Sequence, residues 1–519
     1  MSFRQQVVGL IGTNGLHPLC QVLSNKQGKY IPATGSDQSS TPTKHEIKSP
    51  NWQEKCKLFW KFPTMNWFIG SSDTLLLRQC DFGILISVLQ LLHNFPLSYH
   101  WLFYNILCWS QFLLALSFEN NLGPFILQME PMMCEINFLM AISSPFDCLG
   151  LQTKKKKGII IFRYFIFRLM LSAGVVKWFG SSQWKDLEAL SVHYFTQPLP
   201  NWLSYYFHNM PTWFHQMSCF MSLVVEMPVC FLCFSVASAR YIAFIAFFGL
   251  LLLINVSGNY GWLGLISVTC ALSLLDDRVF NGQTSASYYS LFSPLLLFVE
   301  LLACILAYVH FRCSLLPLAE VLRQRNNSLS VGTLVPQWVM YVHNTFAHLH
   351  IFNQYGMFAA MHDFRFEFEI ETSNDLSSWQ TWHWKYKPPL DEHECARYFP
   401  LHWPRLDWMV WFLPLQMHRS LLAEGGISHV KNSKGSGYFP RWYVQLMIKI
   451  LQQEPTVLQL LDVRRNQTNN SKPKFVRTVV YNYRIPKWNW KKTSDNHDQR
   501  WWEITGPFHR FNHISLENL

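Results

Sequence analysis

The feature that most constrains this chain is a series of apolar segments that fills its middle, between residues 82 and 312. A helix needs about 20 apolar residues to cross a bilayer, and shorter runs can pair or re-enter. Residues 313–519 have the mixed composition of a globular domain. The pattern predicts a multi-pass α-helical membrane protein that ends in a water-facing domain. The apolar segments lie at 82–95, 98–118, 132–147, 159–180, 214–236, 241–256, 262–275 and 290–311.

The formal net charge of +11 raises the question of a nucleic-acid partner. The sequence shows no basic helix and no aromatic-basic platform of the kind that binds nucleic acid. A surplus of lysine and arginine beside membrane helices is common in membrane proteins. The sequence therefore predicts no nucleic-acid partner, and it predicts membrane lipid as the surroundings of the bundle.

The orientation follows from the lysine run at 154–157, because strongly basic loops stay on the cytoplasmic side. The segment 159–180 then ends on the opposite side, and the loop 181–213 faces a lumen. Continued alternation places residues 330–519 in the same lumen. Three N-x-S/T sequons in or beside that part agree with this placement, and they make Asn326, Asn466 and Asn469 candidate N-glycosylation sites.

The apolar segments and their predicted orientation divide the chain into three regions. Residues 1–81 form a polar N-terminal segment in the lumen, in which 21–60 is expected to be a loop. Residues 82–312 form the transmembrane region with its luminal loop 181–213. Residues 330–519 form the luminal domain.

The C-terminal domain is predicted to be β-rich and sandwich-like. In 364–373, apolar and charged residues alternate with period two, which is typical of a half-buried strand. The stretch 379–388 reads as the returning strand of a hairpin, and 475–485 as a further strand. Residues 442–461 have helical periodicity, and Pro455 should kink that helix or begin a second short one.

The segment 159–180 carries three cations, Arg163, Arg168 and Lys177, in an otherwise apolar helix. A cation at the centre of a bilayer helix costs about 2.5–3.5 kcal/mol on insertion scales, so each is expected to pair inside the bundle. Arg163 and Lys177 lie within about 40° of each other around the helix, whereas Arg168 points elsewhere. The cations therefore face at least two neighbouring helices. The acidic residues predicted as partners are Glu130, Glu135, Glu226 and Glu300, with Glu135 and Glu226 the leading candidates for Arg168.

No motif in the sequence indicates catalysis or a bound cofactor. The histidines His343, His348 and His350 have spacings that fit no metal-binding pair on a helix. There is no nucleophile elbow, phosphate-binding loop or zinc-protease helix. The sequence predicts no catalytic residue, no metal and no cofactor.

Several motifs, taken in order, resemble the lipase maturation factor family over nearly the full length of the chain. They are "GLIGTNGLHP" (9–18), "FRLMLSAGVVKWFGSSQWKDLEALSVHYFTQPLP" (167–200), "VSGNYGWLGLISVTCALSLLDD" (256–277), "WHWKYKPP" (382–389), "PRLDWMVWF" (404–412) and "WW" (501–502).

The resemblance implies a multi-pass protein of the endoplasmic reticulum that is not an enzyme. It would help secreted lipases such as lipoprotein lipase to fold and assemble, with immature secreted lipases as its partners. The family has a membrane helix before the G-L-I-G motif, whereas this chain starts eight residues before it. A truncated gene model or a missing first helix is therefore expected, in a divergent member of the family.

If the chain assists lipases, the loop 181–213 is the expected client-contact segment. Its stretch "HYFTQPLP" combines aromatic groups with prolines that limit the entropy lost on binding. The alternative is that Tyr194 and Phe195 only pack against helix ends. The candidate contact residues are His193, Tyr194, Phe195, Gln197, Pro198 and Pro200.

A second hypothesis is a membrane enzyme. The helix around Lys177 is also similar to the lysine-bearing helix of vitamin K-dependent carboxylase relatives. On that resemblance, Lys177 would act as a base near the luminal face, with its pKa lowered by burial.

Overall fold

The structure is a computed structural model. It describes residues 2–27, 50–92, 100–148, 157–276, 279, 294–325, 335–423, 439–466, 472–487 and 500–518.

Helices make up most of the chain before the C-terminal domain. The first four are α1 (Ser2–Ile11), α2 (Leu19–Lys26), α3 (Trp52–Lys61) and α4 (Asn66–Ile69). The next four are α5 (Asp73–Leu92), α6 (His100–Leu122), α7 (Met129–Cys148) and α8 (Lys157–Gly180). Short helices α9 (Ser182–Lys185), α10 (Ala189–Thr196) and α11 (Trp202–His208) follow. The bundle continues with α12 (Thr212–Glu226), α13 (Ala237–Ser257), α14 (Leu263–Ala271), α15 (Pro294–Ser314), α16 (Leu316–Arg325) and α17 (Gln337–Phe346).

Six helical stretches among the described residues are long and apolar enough to cross a membrane. This confirms the prediction of a multi-pass helical membrane protein. The predicted segments 132–147 and 262–275 lie in α7 and in the shorter apolar helix Leu263–Leu274, and neither belongs to the six. The six stretches are Asp73–Leu92, Leu102–Phe125, Gly158–Gly180, Thr212–Phe234, Ala237–Ser257 and Leu301–Glu320.

The first span begins nine residues earlier than the predicted start at 82, because α5 begins at Asp73. Its first turns carry charges that interrupt the apolar pattern, but these charges have partners in α1 and in the turn that follows it. Asp73 accepts hydrogen bonds from the backbone N–H and the hydroxyl of Thr13 at 2.7 and 3.0 Å. Asp81 pairs with Arg4. The boundary predicted at residues 81 and 82 therefore falls inside a helix.

The C-terminal domain is built on an antiparallel sheet of five strands in the order β2-β1-β3-β4, with β5 also paired to β3. β1 pairs with β2 as the predicted hairpin, although β2 covers only three residues of the predicted strand 379–388, and β3 pairs with β1 along the whole length of β1. The β-rich prediction is confirmed. The strands are β1 (Phe366–Ser373), β2 (Gln380–Trp382), β3 (Phe475–Arg484), β4 (Glu503–Arg510) and β5 (Ile514–Ser515).

Helices form the second layer of this domain, so the sandwich-like part of the prediction needs correction. Leu406 and Val410 of α18 (Arg405–Ala423) and Tyr443 and Leu446 of α19 (Arg441–Gln452) share one buried cluster with Phe368 of β1. In the described residues one sheet therefore packs against helices. A second short helix begins at Pro455 as predicted, and the last helices are α20 (Pro455–Leu458) and α21 (Val463–Asn466).

The N-terminal helices pack on the C-terminal domain, at one end of the bundle. Leu10 and Ile11 of α1 are fully buried in the same cluster as Val457 and Leu460. A Cβ atom at Gly9 would lie 2.8 Å from the carbonyl oxygen of Thr456, so a glycine is required for this close approach. We call the end of the bundle that contacts the C-terminal domain the domain end.

The predicted loop at 21–60 contains α3 and most of α2, and its residues 28–49 lie outside the described part. Asn51 caps α3: its side chain accepts from the N–H of Glu54 at 2.8 Å, and the Glu54 carboxylate accepts from the N–H of Asn51 at 3.0 Å. This reciprocal pair is a capping box. The N-x-x-E pattern at 51–54 is the signal that could have located the helix.

Candidate functional site: the joint at the domain end

The stretch 193–201 of the loop 181–213 is the point where the bundle, the hairpin 256–262 and the C-terminal domain meet. All nine residues are buried. The loop contains no long helix, so many of its backbone carbonyls need partners from elsewhere, since a buried carbonyl without one is costly. Those partners come from the other two elements, and we call this region the joint.

The first contacts of the joint are with the hairpin. The Tyr260 hydroxyl donates to Gln197 Oε1 at 2.6 Å and lies 3.0 Å from His193 Nε2. The Gln197 amide donates to the Ser257 carbonyl and to Ser204 Oγ, both at 2.8 Å. Gln197 is 1% exposed, and these bonds satisfy both ends of its amide.

Asn259 joins the hairpin to both partners. Its amide nitrogen donates to the Leu199 carbonyl at 3.2 Å and to the Arg397 carbonyl of the C-terminal domain at 2.9 Å. Its side-chain oxygen accepts from the N–H of Phe399 at 3.0 Å. One buried amide therefore ties the loop, the hairpin and the domain together.

Arg365, directly before β1, holds the loop from the domain side. Its guanidinium donates to the Phe195 carbonyl at 2.8 Å, to the Pro198 carbonyl at 3.0 Å and to the Gln197 carbonyl. Trp411 of α18 adds a bond from its indole N–H to the Thr196 carbonyl at 2.9 Å. Four consecutive carbonyls of the loop are thus bound by the C-terminal domain.

The six candidate client-contact residues all lie inside this joint. The side chains of His193, Tyr194 and Phe195 are 8%, 5% and 7% exposed, and Gln197, Pro198 and Pro200 are buried as well. They pack against other parts of the same chain, as the structural alternative expected. Their contact with a client stays a prediction, and exposed neighbours in the loop would have to contribute to it.

His193 is neutral in this environment. Burial, together with the charge of Lys177, lowers the pKa of His193 to about 3. The ring therefore serves as a hydrogen-bonding and packing group at neutral pH, parallel to the ring of Tyr260 and edge-to-face with that of Phe358.

The central cation of α8 pairs with α7. Arg168 forms a buried ion pair with Glu135, and it donates to the Asn353 carbonyl at 3.1 Å. Glu135 also accepts from the Tyr355 hydroxyl at 2.6 Å and lies 2.8 Å from His310 Nε2. The pair thus links two helices of the bundle to α15 and to the segment that leads into the domain.

Lys177, near the domain end of α8, pairs with Glu226 of α12. Its ammonium also lies 5.0 Å from the centre of the Trp184 ring. The lysine is thus held between a carboxylate and an aromatic ring of the same chain.

Arg163 and Glu130 have partners that the sequence analysis did not name. Arg163 Nη2 lies 3.7 Å from Asp276, which also pairs with Arg240 at 2.5 Å, at the end of the bundle opposite to the domain. Glu130, predicted as a partner for a membrane cation, instead pairs with Arg405 at the start of α18. Each cation of α8 therefore addresses a different neighbour.

The sequence analysis missed a buried charge cluster beneath Arg365. The charged face of β1 was expected to face solvent, but Glu367 and Glu369 are 0% and 2% exposed. Lys387 bonds both carboxylates, at 2.9 and 2.6 Å, and Arg365 lies 2.6 Å from Glu367. The alternation in 364–373 predicted the strand correctly, but nothing in it indicated that the charged face would also be covered.

The two carboxylates of this cluster differ because they have different neighbours. Glu367 lies between two cations, and their attraction outweighs burial and lowers its pKa. Glu369 shares only Lys387, so burial dominates and raises its pKa to about 7. Burial also raises the pKa of Asp407 to about 6, although it accepts the N–H groups of Tyr386 and Lys387 at 3.0 Å each.

Of the three predicted sequons, only Asn466 lies within the described residues; Asn326 and Asn469 lie outside them. The Asn466 amide bonds to the backbone of His383, accepting from its N–H at 2.8 Å and donating to its carbonyl at 3.0 Å. This side chain therefore helps to hold the end of the hairpin in place.

Comparisons with known proteins agree with these two parts of the chain. The profile described as "Lipase maturation factor transmembrane domain" matches residues 1–282, and the profile described as "Lipase maturation factor C-terminal domain" matches residues 351–424. No solved structure matches the chain.

Among curated relatives, Lipase maturation factor 1 of Homo sapiens is 26% identical over 369 residues, which cover 69% of this chain and 60% of that protein. Lipase maturation factor 2 of Rattus norvegicus is 23% identical over 596 aligned positions, which cover 94% of this chain and 80% of that protein. The chain thus spans about three fifths of the length of the first of these relatives.

Proposed function

We propose, from the fact that this chain belongs to the lipase maturation factor family, that it assists the folding and assembly of secreted lipases without catalysing a reaction. Its partners would be immature lipases of the lipoprotein lipase type. The membrane would be that of the endoplasmic reticulum, where secreted proteins fold. The domain end would face the lumen, and the lysine run at 154–157 and the sequons support this orientation.

The observation that carries this proposal is the joint. Arg365, Trp411 and Asn259 bind consecutive backbone groups of the loop, so the C-terminal domain and the bundle present one continuous surface. A factor that acts by binding a folding client needs a surface that is already ordered, because this lowers the entropy lost on binding. The buried residues of the joint supply that order.

Exposed apolar side chains on the same loop are the better candidates for client contact. Trp202 and Met210 follow the buried stretch and are 41% and 42% exposed. Tryptophan is enriched among the residues that dominate binding energy at protein interfaces. The joint would thus hold the loop, and its exposed flank would meet the client.

The test uses cells that lack this chain and express a secreted lipase of the lipoprotein lipase type. Returning the full chain should raise the secreted lipase activity per lipase molecule, and misfolded lipase inside the cell should fall. A full chain that is present at a normal level but leaves both quantities unchanged would contradict the proposal.

Two double variants separate the roles of the loop. His193→Ala with Tyr194→Ala removes buried groups, and we expect the protein level itself to fall. Trp202→Ser with Met210→Ser changes exposed groups, and we expect a normal protein level with reduced lipase secretion. Lys177→Met, normalised for protein level, serves as the control for a catalytic base: full lipase maturation with this variant would argue against an enzyme.

A further inference from the structure

The amphipathic helix α3 has three distinct faces, and the first of them packs against the buried core of the protein. Leu58 and Phe59 are half-buried against the cluster that joins the N-terminal helices to the C-terminal domain. At about 100° per residue they lie on one side of the helix. This side is the protein face of α3.

The second face is an exposed aromatic stripe. Trp52, Cys56 and Trp60 are spaced by four residues and therefore lie along one line of the helix. Trp52 and Trp60 are 70% and 50% exposed, and Cys56 is exposed as well. Trp52 lies at a tilt 5.0 Å from the Phe68 ring, and Trp60 lies edge-on to Phe346 at 5.7 Å and to His348 at 5.1 Å, but a large part of each tryptophan stays exposed.

The third face is polar and carries two lysines. Gln53, Lys57 and Lys61 follow the stripe around the helix and are exposed, together with the capping Glu54. Two of these four side chains are lysines, placed beside tryptophans. A helix with aromatic groups on one side and lysines on the next has the pattern of helices that lie in a membrane interface.

The residues that follow α3 fix its position along the length of the bundle, between the domain end and the opposite end. The N–H of Met65 donates to Ser117 Oγ at 2.9 Å, and the Asn120 amide donates to the Pro63 carbonyl at 3.2 Å. Ser117 and Asn120 belong to the last turns of α6, within the span Leu102–Phe125. The chain leaving α3 therefore meets a membrane span just inside its domain end. The next span, α5, begins a few residues later.

We propose that α3 lies in the headgroup layer of the membrane on the domain side, with its Trp52-Cys56-Trp60 stripe turned into the bilayer and Lys57 and Lys61 next to lipid phosphates. The partner is the phospholipid of the membrane in which the protein sits. The chain that follows the stripe bonds directly to the span α6, and the lysines complement the charge of the phosphate groups. Tryptophan is enriched at this depth because its ring is apolar and its N–H can still bond to water or lipid.

A photocrosslinking experiment tests this placement in the full chain. A benzophenone amino acid replaces Trp52 or Trp60 in turn, and the purified protein is placed in nanodiscs of phosphatidylcholine with phosphatidylserine. The same probe at Trp379, on the sheet of the C-terminal domain, is the matched control. We expect several-fold more lipid adduct at positions 52 and 60 than at 379. Equal yields at the three positions would overturn the proposal.

The same variants in cells distinguish lipid from protein as the partner. Lipid adducts at positions 52 and 60 support the proposal. Protein adducts at these positions in place of lipid would overturn it and would make α3 a client surface.

A second measurement needs no variant, because Cys56 lies within the stripe. The wild-type protein in nanodiscs is treated with an alkyl maleimide that partitions into lipid or with a sulfonated maleimide that does not, and each cysteine is read by peptide mass spectrometry. Cys304, exposed on the span Leu301–Glu320, is the lipid-facing reference, and Cys395 of the C-terminal domain is the water-side reference. The measured quantity is the rate with the alkyl maleimide divided by the rate with the sulfonated one. At Cys56 this ratio should be several-fold higher than at Cys395 and close to that at Cys304. A ratio equal to that at Cys395 would contradict the proposal.

Discussion

At the scale of single residues, the cations of α8 are informative because each has a specific partner. Arg168 with Glu135, and Lys177 with Glu226, are buried ion pairs between helices. Such a pair adds little net stability compared with apolar packing, but the loss of one member leaves a charge stranded. The pairs therefore specify which helices meet, and they should be sensitive to single substitutions.

Replacing Arg168 with methionine should destabilise the bundle by about 3–5 kcal/mol, because Glu135 would remain buried without its cation. We expect a sharp fall in protein level and in the Tm of the purified protein. Adding Glu135→Gln should restore part of both, since the amide carries no charge. Arg323→Met is the matched control, because its pair with Glu320 is exposed to solvent and contributes little to stability. An equal fall in both methionine variants, or no recovery in the double variant, would argue against the pair as the cause.

The buried Glu369 should make the stability of the C-terminal domain depend on pH. Burial raises its pKa from 4.5 to about 7 in the folded state. Between these values the folded protein holds a proton that the unfolded chain releases. The stabilisation from this carboxyl is therefore complete below the unfolded pKa, and it is lost as the pH rises through the folded pKa. Glu367, with its lowered pKa, titrates below this window.

The variant Glu369→Gln is neutral at every pH, so it should flatten this dependence. As the pH rises through this window, the free energy of unfolding should decline more steeply for wild type than for the variant. We expect the two slopes to differ by up to about 1.4 kcal/mol per pH unit. Thermal unfolding of the full chain across the window measures the difference. The exposed Glu320→Gln is the control and should keep the slope of wild type. A variant with an unchanged slope would assign the pH dependence to other groups.

At the scale of elements, the sequence predicted those whose pattern is local. The alternation in 364–373 predicted β1, because every second residue of the strand is apolar. The apolar run 159–180 predicted α8, because nearly the whole surface of that helix is apolar. The start of α5 and the charged face of β1 were wrong for a common reason. Their polar residues have partners distant in sequence, such as Thr13 for Asp73 and Lys387 for Glu369, and no local pattern contains those contacts.

The same reason explains the joint. The residues of "HYFTQPLP" stood out as a motif, but their burial depends on Arg365, which lies 168 positions away from Gln197. Periodicity cannot indicate which backbone carbonyls such an arginine will bind. The aromatic and proline content predicted a rigid loop, whereas the partners that make it rigid became visible only in the fold.

The hairpin turn at Gly261 offers a test of the joint at this scale. Gly261 has a φ of +58°, and a Cβ atom there would collide with the ring of Trp403. Gly261→Ala should therefore push the hairpin away from the C-terminal domain. We expect faster release of that domain by limited proteolysis and a lower Tm. Gly249→Ala, in α13 with nothing within 4 Å of the new methyl group, is the matched control and should behave as wild type. Equal proteolysis of both variants would show that this contact does not hold the joint.

At the scale of the whole molecule, the domain end carries the N-terminal helices, the joint and the C-terminal domain together. The position of this end relative to the membrane therefore decides where all contacts with a client take place. If it faces the lumen, the sequons beside the domain become accessible to glycosylation. Asn466 already uses its amide to hold His383 in the folded state.

Glycosidase treatment should lower the apparent mass of the full-length protein made in cells. Single Asn→Gln variants at 326, 466 and 469 identify the site, and Asn466→Gln should in addition lower the Tm, because it breaks both bonds to His383. The variant without any of the three sequons is the control and should show no shift. A wild-type protein without a shift, whose C-terminal tag is reached by antibody from the cytosol, would reverse the orientation.

The hydrogen bonds from Arg365 to the loop also have a consequence for the synthesis of the protein, which proceeds from the N-terminus. At about 5–20 residues per second, the ribosome reaches this arginine roughly 10 to 30 seconds after Gln197, because the two are 168 positions apart. During that interval the loop has already been made, but its carbonyls still lack the groups that will bind them. The nascent chain must therefore keep this segment hydrated or bound to other proteins until translation supplies the rest. A message that stops before residue 365 should then yield a bundle that quality control removes, rather than a smaller working protein.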